Sequence, residues 1–250
     1  MIPNPILKVL STFETNGVQH LLMGGQACVL YGAAEFSRDM DVTVLASPAN
    51  LDRLRAALAE LRCEVIAVPP FEERYLERGH AVHFRCWHPD AERMRVDVMS
   101  KMRGVDGFGA LWDRRTTMVV EGGLEAHLLS LPDLVAAKKT QRDKDWPMIR
   151  SLVEANYEDF YHDPNPQRIR FWLDEMRSPD ILVETVARFP REAHEARERR
   201  TAVALALSGD YAAVQGALDE EMAREREADR EYWAPLRKEL EELRRDRDRS

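Results

Sequence analysis

The spacing of apolar positions changes along the chain, and each change marks an element. Near the start, Asn4-Pro5 forms a cap and first-turn pair, and Ile6, Leu7, Val9, Leu10 and Phe13 recur at helical spacing until Asn16-Gly17. A compact apolar strand over 18–23 runs into Gly24-Gly25, and Ala27, Cys28, Leu30 and Tyr31 continue as a helix up to Gly32. Met40, Val42 and Val44 then alternate with Asp39, Asp41 and Thr43, the period of a strand with one apolar and one polar face. Ser47-Pro48 caps a helix over 49–61 with Leu51, Leu54, Leu58 and Leu61 on one side, and a buried-looking strand over 65–68 ends at Pro69-Pro70. Residues 81–100 predict a hairpin that turns at His88-Pro89-Asp90-Ala91, and further strands are expected at 116–120 and 124–129. Pro132 opens a helix containing Lys138 and Lys139, and Asp145 with Pro147 begins another that reaches about Tyr157.

Strand signals stop there, and Asp163-Pro164-Asn165-Pro166 is the best boundary. The expected organisation is an α+β domain over 1–160 followed by a helical C-terminal region over 161–250. Residues 219–250 interleave Glu and Arg around a thin stripe of Met222, Tyr232, Trp233, Leu236, Leu240 and Leu243. Two readings fit that segment: a solvated helix, or a helix that docks a partner or dimerises.

Composition narrows the class. With 250 residues, 44% hydrophobic and 32% charged, the chain can bury a substantial core. A formal charge of −8 argues against a generally basic surface for duplex nucleic acid and leaves room only for a local basic groove. The three cysteines, Cys28, Cys63 and Cys86, are odd in number and no secretory leader precedes them, so no disulfide framework is expected and a reducing cytoplasm is the expected location. No stretch of about 18 apolar residues occurs, so no membrane association is expected.

Asp39 and Asp41 lie one residue apart on a strand, so both carboxylates leave the same face about 7 Å apart, within reach of a shared hard cation. Upstream, Gly24-Gly25 occupies a strand-to-helix turn, where glycines let backbone N–H groups approach a phosphate. Asp97, in Arg95-Val96-Asp97-Val98-Met99, points away from the core that its valine neighbours face, and a carboxylate there is costly without a partner or a metal. His83, Cys86 and His88 have ligand-type side chains, but alternation along a strand keeps the three from converging on zinc. Cys28 reads as a small buried residue.

These residues resemble a known family. Leu21-Leu22-Met23-Gly24-Gly25-Gln26-Ala27, then Tyr31-Gly32, then Ser37-Arg38-Asp39-Met40-Asp41-Val42, and later Asp97, are similar to the minimal nucleotidyltransferase domain of the DNA polymerase β superfamily. Leu131-Pro132-Asp133-Leu134-Val135-Ala136-Ala137-Lys138, with Arg142-Asp143-Lys144-Asp145 behind it, is similar to the following segment of the AbiEii-type toxin and related stand-alone branches. The resemblance covers about residues 18–157 and implies a nucleotidyltransferase-like mixed β-sheet flanked by helices. It also implies that Gly24 and Gly25 hold the triphosphate of an NTP, with Gln26, Ser37, Lys138 and Lys144 in the nucleotide site. Asp39 and Asp41 would bind two Mg²⁺ ions, and Asp97 would complete the second metal site and accept the proton of the attacking hydroxyl. One departure stands out: many relatives carry Arg-x-Thr before the first Asp, whereas Glu35 and Ser37 occupy those places.

Two functional classes follow. The first is a nucleotidyltransferase that transfers an NMP from an NTP to a hydroxyl on tRNA, another RNA, a protein or a small molecule such as an antibiotic, and in the toxin branches pairs with a cognate antitoxin. The second is a catalytically weak interaction protein of the same fold, which Glu35 favours and the three carboxylates oppose.

Overall fold

The alternating segment around Asp39 becomes the middle of a seven-stranded sheet. The computed structural model of the chain describes residues 4–249. Its first part contains α1 (Asn4–Thr15), β1 (His20–Met23), α2 (Gly24–Leu30), β2 (Asp39–Val44), α3 (Pro48–Glu60), β3 (Glu64–Val65) and α4 (Glu73–Arg78). There follow β4 (Val82–Arg85), β5 (Arg95–Met99), α5 (Phe108–Asp113), β6 (Thr116–Val119), β7 (Glu125–Leu128) and α6 (Leu131–Ala137). The rest is helical: α7 (Asp145–Phe160), α8 (Pro166–Glu175), α9 (Pro179–Arg188), α10 (Pro190–Ala196), α11 (Thr201–Ala206) and α12 (Tyr211–Arg247). The fold is therefore α+β, and the strand order is β3-β4-β5-β2-β1-β7-β6. Pairing is mixed: β2 runs parallel to β5 and β1 to β7, whereas β1–β2, β4–β5, β3–β4 and β6–β7 are antiparallel.

Two compact units can be drawn, the first from residues 4–30, 34–137 and 232–249, the second from 31–33 and 138–231. In the first, Met40, Val42, Val82, Phe84, Val96 and Val98 are buried on one sheet face, as period 2 requires. From α1, Ile6, Val9, Leu10 and Phe13 are buried at helical spacing, and Gly17 at φ 64° follows the helix. Ser47 caps α3 by accepting from Asn50 N at 3.4 Å, a contact of about 1 kcal/mol. The buried Asn50 amide in turn ties β1 to β2: its Oδ1 accepts from Gln19 N at 2.7 Å, and its Nδ2 donates to Gln19 O and Leu45 O.

The second unit packs around Trp172, which is fully buried and donates through Nε1 to Asn156 Oδ1 at 2.9 Å. Arg200, also buried, donates to the carbonyls of Leu173 and Met176 at 2.7 Å each and pairs with Glu221. Those bonds compensate a charge that burial would otherwise make expensive. Among the described residues no helix is long and apolar enough to cross a membrane.

Several expected elements differ in the structure. The strand expected over 65–68 is only Glu64–Val65, and Val65 and Ile66 are exposed, because β3 is an edge strand bonded to β4 alone. Lys138 and Lys139 lie just beyond α6, which stops at Ala137. The short helices α4 and α5 were not expected from the pattern. The Glu/Arg-rich helix begins at Tyr211, earlier than its charge run, and contains Pro235, whose missing N–H leaves the Glu231 carbonyl without its helical partner.

Candidate active site

Register builds the site. Met23 stands opposite Asp41 in the antiparallel β1–β2 pair, Asp41 opposite Asp97 in the parallel β2–β5 pair, and His83 opposite Asp97 in the hairpin β4–β5. Cross-strand neighbours project to the same side, so Asp41, Asp97 and His83 form one polar row. The adjacent row holds Asp39, Arg95 and Arg85. The chain leaves β1 at Met23, so Gly24-Gly25 meets the first row at Asp41.

Both glycines are needed where they stand. Gly24 has φ 64°, and a Cβ on it would overlap the Asp41 carboxylate. A Cβ on Gly25 would come 2.6 Å from Ser37 Oγ. Without those carbons, Gly25 N–H points at Asp41 Oδ2 across 3.4 Å, and Ser37 Oγ donates to Asp39 O at 3.0 Å. Gln26 follows in α2 with no exposure, and neither its Oε1 nor its Nε2 has a hydrogen-bond partner among the described residues.

Asp97 is engaged by a guanidinium and an imidazole on its own face. Arg95 Nε donates to Asp97 Oδ1 at 2.8 Å, and His83 Nδ1 lies 2.9 Å from the same oxygen and 3.2 Å from Arg95 Nη2. His83 Nδ1 can donate to the carboxylate or accept from the guanidinium, but not both. Burial pushes the Asp97 pKa up, yet the hydrogen bonds from His83 and Arg95 outweigh it and hold the carboxyl below its ordinary value. Arg95 is correspondingly raised, first by its hydrogen bond to Asp97, with the fields of Asp97, Asp39 and Asp41 adding to it.

The donor set suits a hard cation in chemistry, since Asp39, Asp41 and Asp97 offer only carboxylate oxygens. In arrangement, among the described residues no three His, Cys, Asp or Glu side chains are poised to hold a metal ion together. One oxygen of Asp97 is already engaged by Arg95 and His83.

Lys138 and Lys144 belong to the second unit. Lys138 is buried, with Nζ 3.8 Å from Asp145 Oδ1. Asp145 also accepts from Thr140 Oγ1 at 2.6 Å and Arg142 Nε at 2.8 Å. Lys144 is exposed at the start of α7. The partners His83 and Arg95 were missed in the sequence. Arg95 was legible as the residue two before Asp97, on the same face, whereas a hairpin centred on residues 88–91 would set His83 opposite Val96, one position from its observed partner Asp97.

No family model matches the chain, and no curated protein does. Among the solved structures similar to it are two from Helicobacter pylori. One, a protein provisionally described as a nucleotidyltransferase, is 13% identical over 86% of this chain and 94% of its own, with a TM-score of 0.41. The other, JHP933, is 12% identical over 88% of this chain and 93% of its own, with a TM-score of 0.39.

Proposed function

We propose that this chain is a Mg²⁺-dependent nucleotidyltransferase that moves an NMP from an NTP to a hydroxyl and releases pyrophosphate. One observation carries the reading: the register Met23–Asp41–Asp97 sets the Gly24-Gly25 turn against one carboxylate of a row and leaves Asp39 on the same face. In the reaction an acceptor oxygen bonds to the α-phosphorus as the bond to the pyrophosphate oxygen breaks, and the hydroxyl proton must go to a base.

Asp39 and Asp41 are the residues that would hold the cation, and a bound Mg²⁺ supplies charge stabilisation for the attacking and leaving oxygens. Gly24 and Gly25 bring uncluttered backbone to the phosphates, beside Gln26 and Ser37. Asp97 joins the carboxylates and takes the hydroxyl proton only when Arg95 releases it, since an ion-paired carboxylate is a poor base and a poor ligand. The roles of Lys138 and Lys144 add nothing to this reading, which rests on the first unit. For the acceptor we propose a macromolecular hydroxyl, on RNA such as tRNA or on protein, in the toxin half of a toxin–antitoxin pair.

The Arg95–Asp97 pair also favours a second reading, an interaction protein of this fold with feeble catalysis. One experiment separates the two. The purified chain is incubated with each common NTP radiolabelled at the α-phosphate, Mg²⁺ and total cellular RNA, with Asp39→Ala/Asp41→Ala as the control. Label on RNA or protein that vanishes in the control supports transfer. A folded wild-type chain that labels nothing with any NTP supports the interaction reading or a small-molecule acceptor.

A further inference from the structure

Outside the carboxylate row, Cys63 and Cys86 lie with their sulfurs 2.7 Å apart. Their approach is built into the sheet. The β3–β4 register pairs Val65 with Phe84 and Glu64 with Arg85, so the next position sets Cys63 opposite Cys86. Neither cysteine spends its backbone on the other. Cys63 N–H donates to Leu58 O at 2.8 Å, Cys86 N–H donates to Met94 O at 2.9 Å, and Cys86 O accepts from Arg93 N at 2.8 Å.

Cys63 and Cys86 thus fall where the ladder, continued by one position, has a non-hydrogen-bonded antiparallel pair, a geometry that sets Cα atoms about 4.5 Å apart, near the lower edge of the roughly 4.4–6.8 Å range of disulfides. Trp87 N and His88 N both donate to Leu61 O, so backbone bonds also hold the segments on either side of the pair together. Little rearrangement is required to close the bond.

We propose that Cys63 and Cys86 are a redox-active dithiol that closes to an intrachain disulfide when a low-molecular-weight disulfide, such as oxidised glutathione, is present. Cys63 is half-buried and Cys86 fully buried, so Cys63 meets the oxidant first. Cys63 gives up its proton as it attacks one sulfur of the oxidant: the oxidant's S–S bond breaks, a mixed disulfide forms on Cys63, and one glutathione leaves, taking up a proton. The Cys86 thiolate then attacks Cys63 Sγ, expels the second glutathione thiolate and forms the Cys63–Cys86 bond. Two electrons pass from the dithiol to the oxidant, and the two cysteine protons end on two glutathione thiols.

In the reduced pair the contact between the sulfurs pushes Cys63 up and draws Cys86 down. Once Cys63 carries glutathione it has no proton to share, and Cys86 stands beside the sulfur it attacks. Cys28 takes no part: it is buried and its Sγ donates to Gly24 O at 3.1 Å.

The test uses the full chain in glutathione buffers of stepped oxidation, quenched with an alkylating reagent and digested with trypsin. Arg62 and Arg85 directly precede the two cysteines, so the tryptic peptides carrying them are separate unless a disulfide joins them. The expected result is a Cys63–Cys86 linked peptide that grows with oxidation while Cys28 is alkylated only after denaturation. Oxidation should also raise Tm by roughly 5–10 °C, and Cys63→Ala or Cys86→Ala should abolish that rise. If strongly oxidising buffer leaves both cysteines alkylatable, or each carrying its own glutathione, the proposal is overturned.

Discussion

Arg95 and Asp97, two residues apart on β5, share one face of the sheet, and Arg95 Nε donates to Asp97 Oδ1 at 2.8 Å. The pair sits beside Asp41 in the register, so the cation that would recruit the three carboxylates competes with a guanidinium already in place. Replacing Arg95 by Gln keeps the length and removes the charge. We expect Arg95→Gln to bind Mn²⁺ roughly two- to fivefold more tightly than wild type, on the scale of about 0.5–1 kcal/mol for a partly exposed pair. Spin-resonance titration of free Mn²⁺ measures it. Unchanged or weaker binding means that Arg95 does not shield Asp97.

The glycine turn gives a prediction with its own control. Gly24 and Gly122 both have positive φ, at 64° and 80°, but a Cβ on Gly24 overlaps the Asp41 carboxylate while one on Gly122 meets nothing. Both alanine variants pay backbone strain of about 1–2 kcal/mol. Only Gly24→Ala must also displace Asp41, so it should unfold at lower urea than Gly122→Ala and lose label transfer, which Gly122→Ala retains. At the neighbouring glycine, the Gly25→Ala defect should shrink in Gly25→Ala/Ser37→Ala, since the clash is with Ser37 Oγ. Equal behaviour of the Gly24 and Gly122 variants would remove Asp41 from the argument.

What the sequence reveals of this molecule is what is written locally. The alternation of Met40, Val42 and Val44 with Asp39 and Asp41 gives β2 directly, and the turn at His88-Pro89-Asp90-Ala91 gives the β4–β5 hairpin. Helix α4 was invisible because its six residues hold too few apolar positions to show a period before Gly79 ends it at φ 98°. The Val65–Val68 run misled because apolar character alone does not tell an edge from a centre, and only the strand order shows that β3 has a single neighbour. The contacts of Asp97 with His83, and of Cys63 with Cys86, depend on register between strands. A single residue of slip would have moved either pair apart.

Burial of His20 makes stability depend on pH in a defined direction. Its ring packs edge-on to Phe13 at 5.2 Å between centroids, and its Nδ1 bonds Val18 O at 2.9 Å. Desolvation lowers its pKa to about 4 from 6.5, with the Val18 bond opposing and His127 adding a smaller push. Between those values the unfolded chain binds more protons than the folded one, so stability rises with pH across that window. Acidification from pH 7 to about 4 should withdraw about 3 kcal/mol through this residue. His20→Phe, which cannot titrate, should flatten that part of the profile in urea midpoints collected at stepped pH. A wild-type slope that survives the substitution would place the titrating group elsewhere.

Within the first unit, Glu239 holds the end of α12 in place, and this predicts where the chain is trimmed. Glu239 Oε2 lies 2.8 Å from Nε2 of the fully buried His80, and its other oxygen accepts from Arg78. Beside them, Tyr232 and Leu236 come close enough to Gly79 that a Cβ there would lie 3.0 Å from the Tyr232 hydroxyl. The His80 bond is the main reason that the Glu239 carboxyl is held below its ordinary value, with burial opposing. A depressed carboxylate contributes stability that is present above its unfolded pKa of about 4.5 and is lost as pH falls through the folded value. Glu239→Ala removes the partner of a buried imidazole, which costs about 1–3 kcal/mol where the group is left unsatisfied. That loss falls on the last turns of α12, so trypsin should cut at Arg237 and Lys238 several-fold faster in the variant while cleavage within α7 is unchanged. Glu239→Gln, which keeps a hydrogen-bonding oxygen, should recover most of the protection near neutral pH, and uniform acceleration at all sites would instead mean global destabilisation.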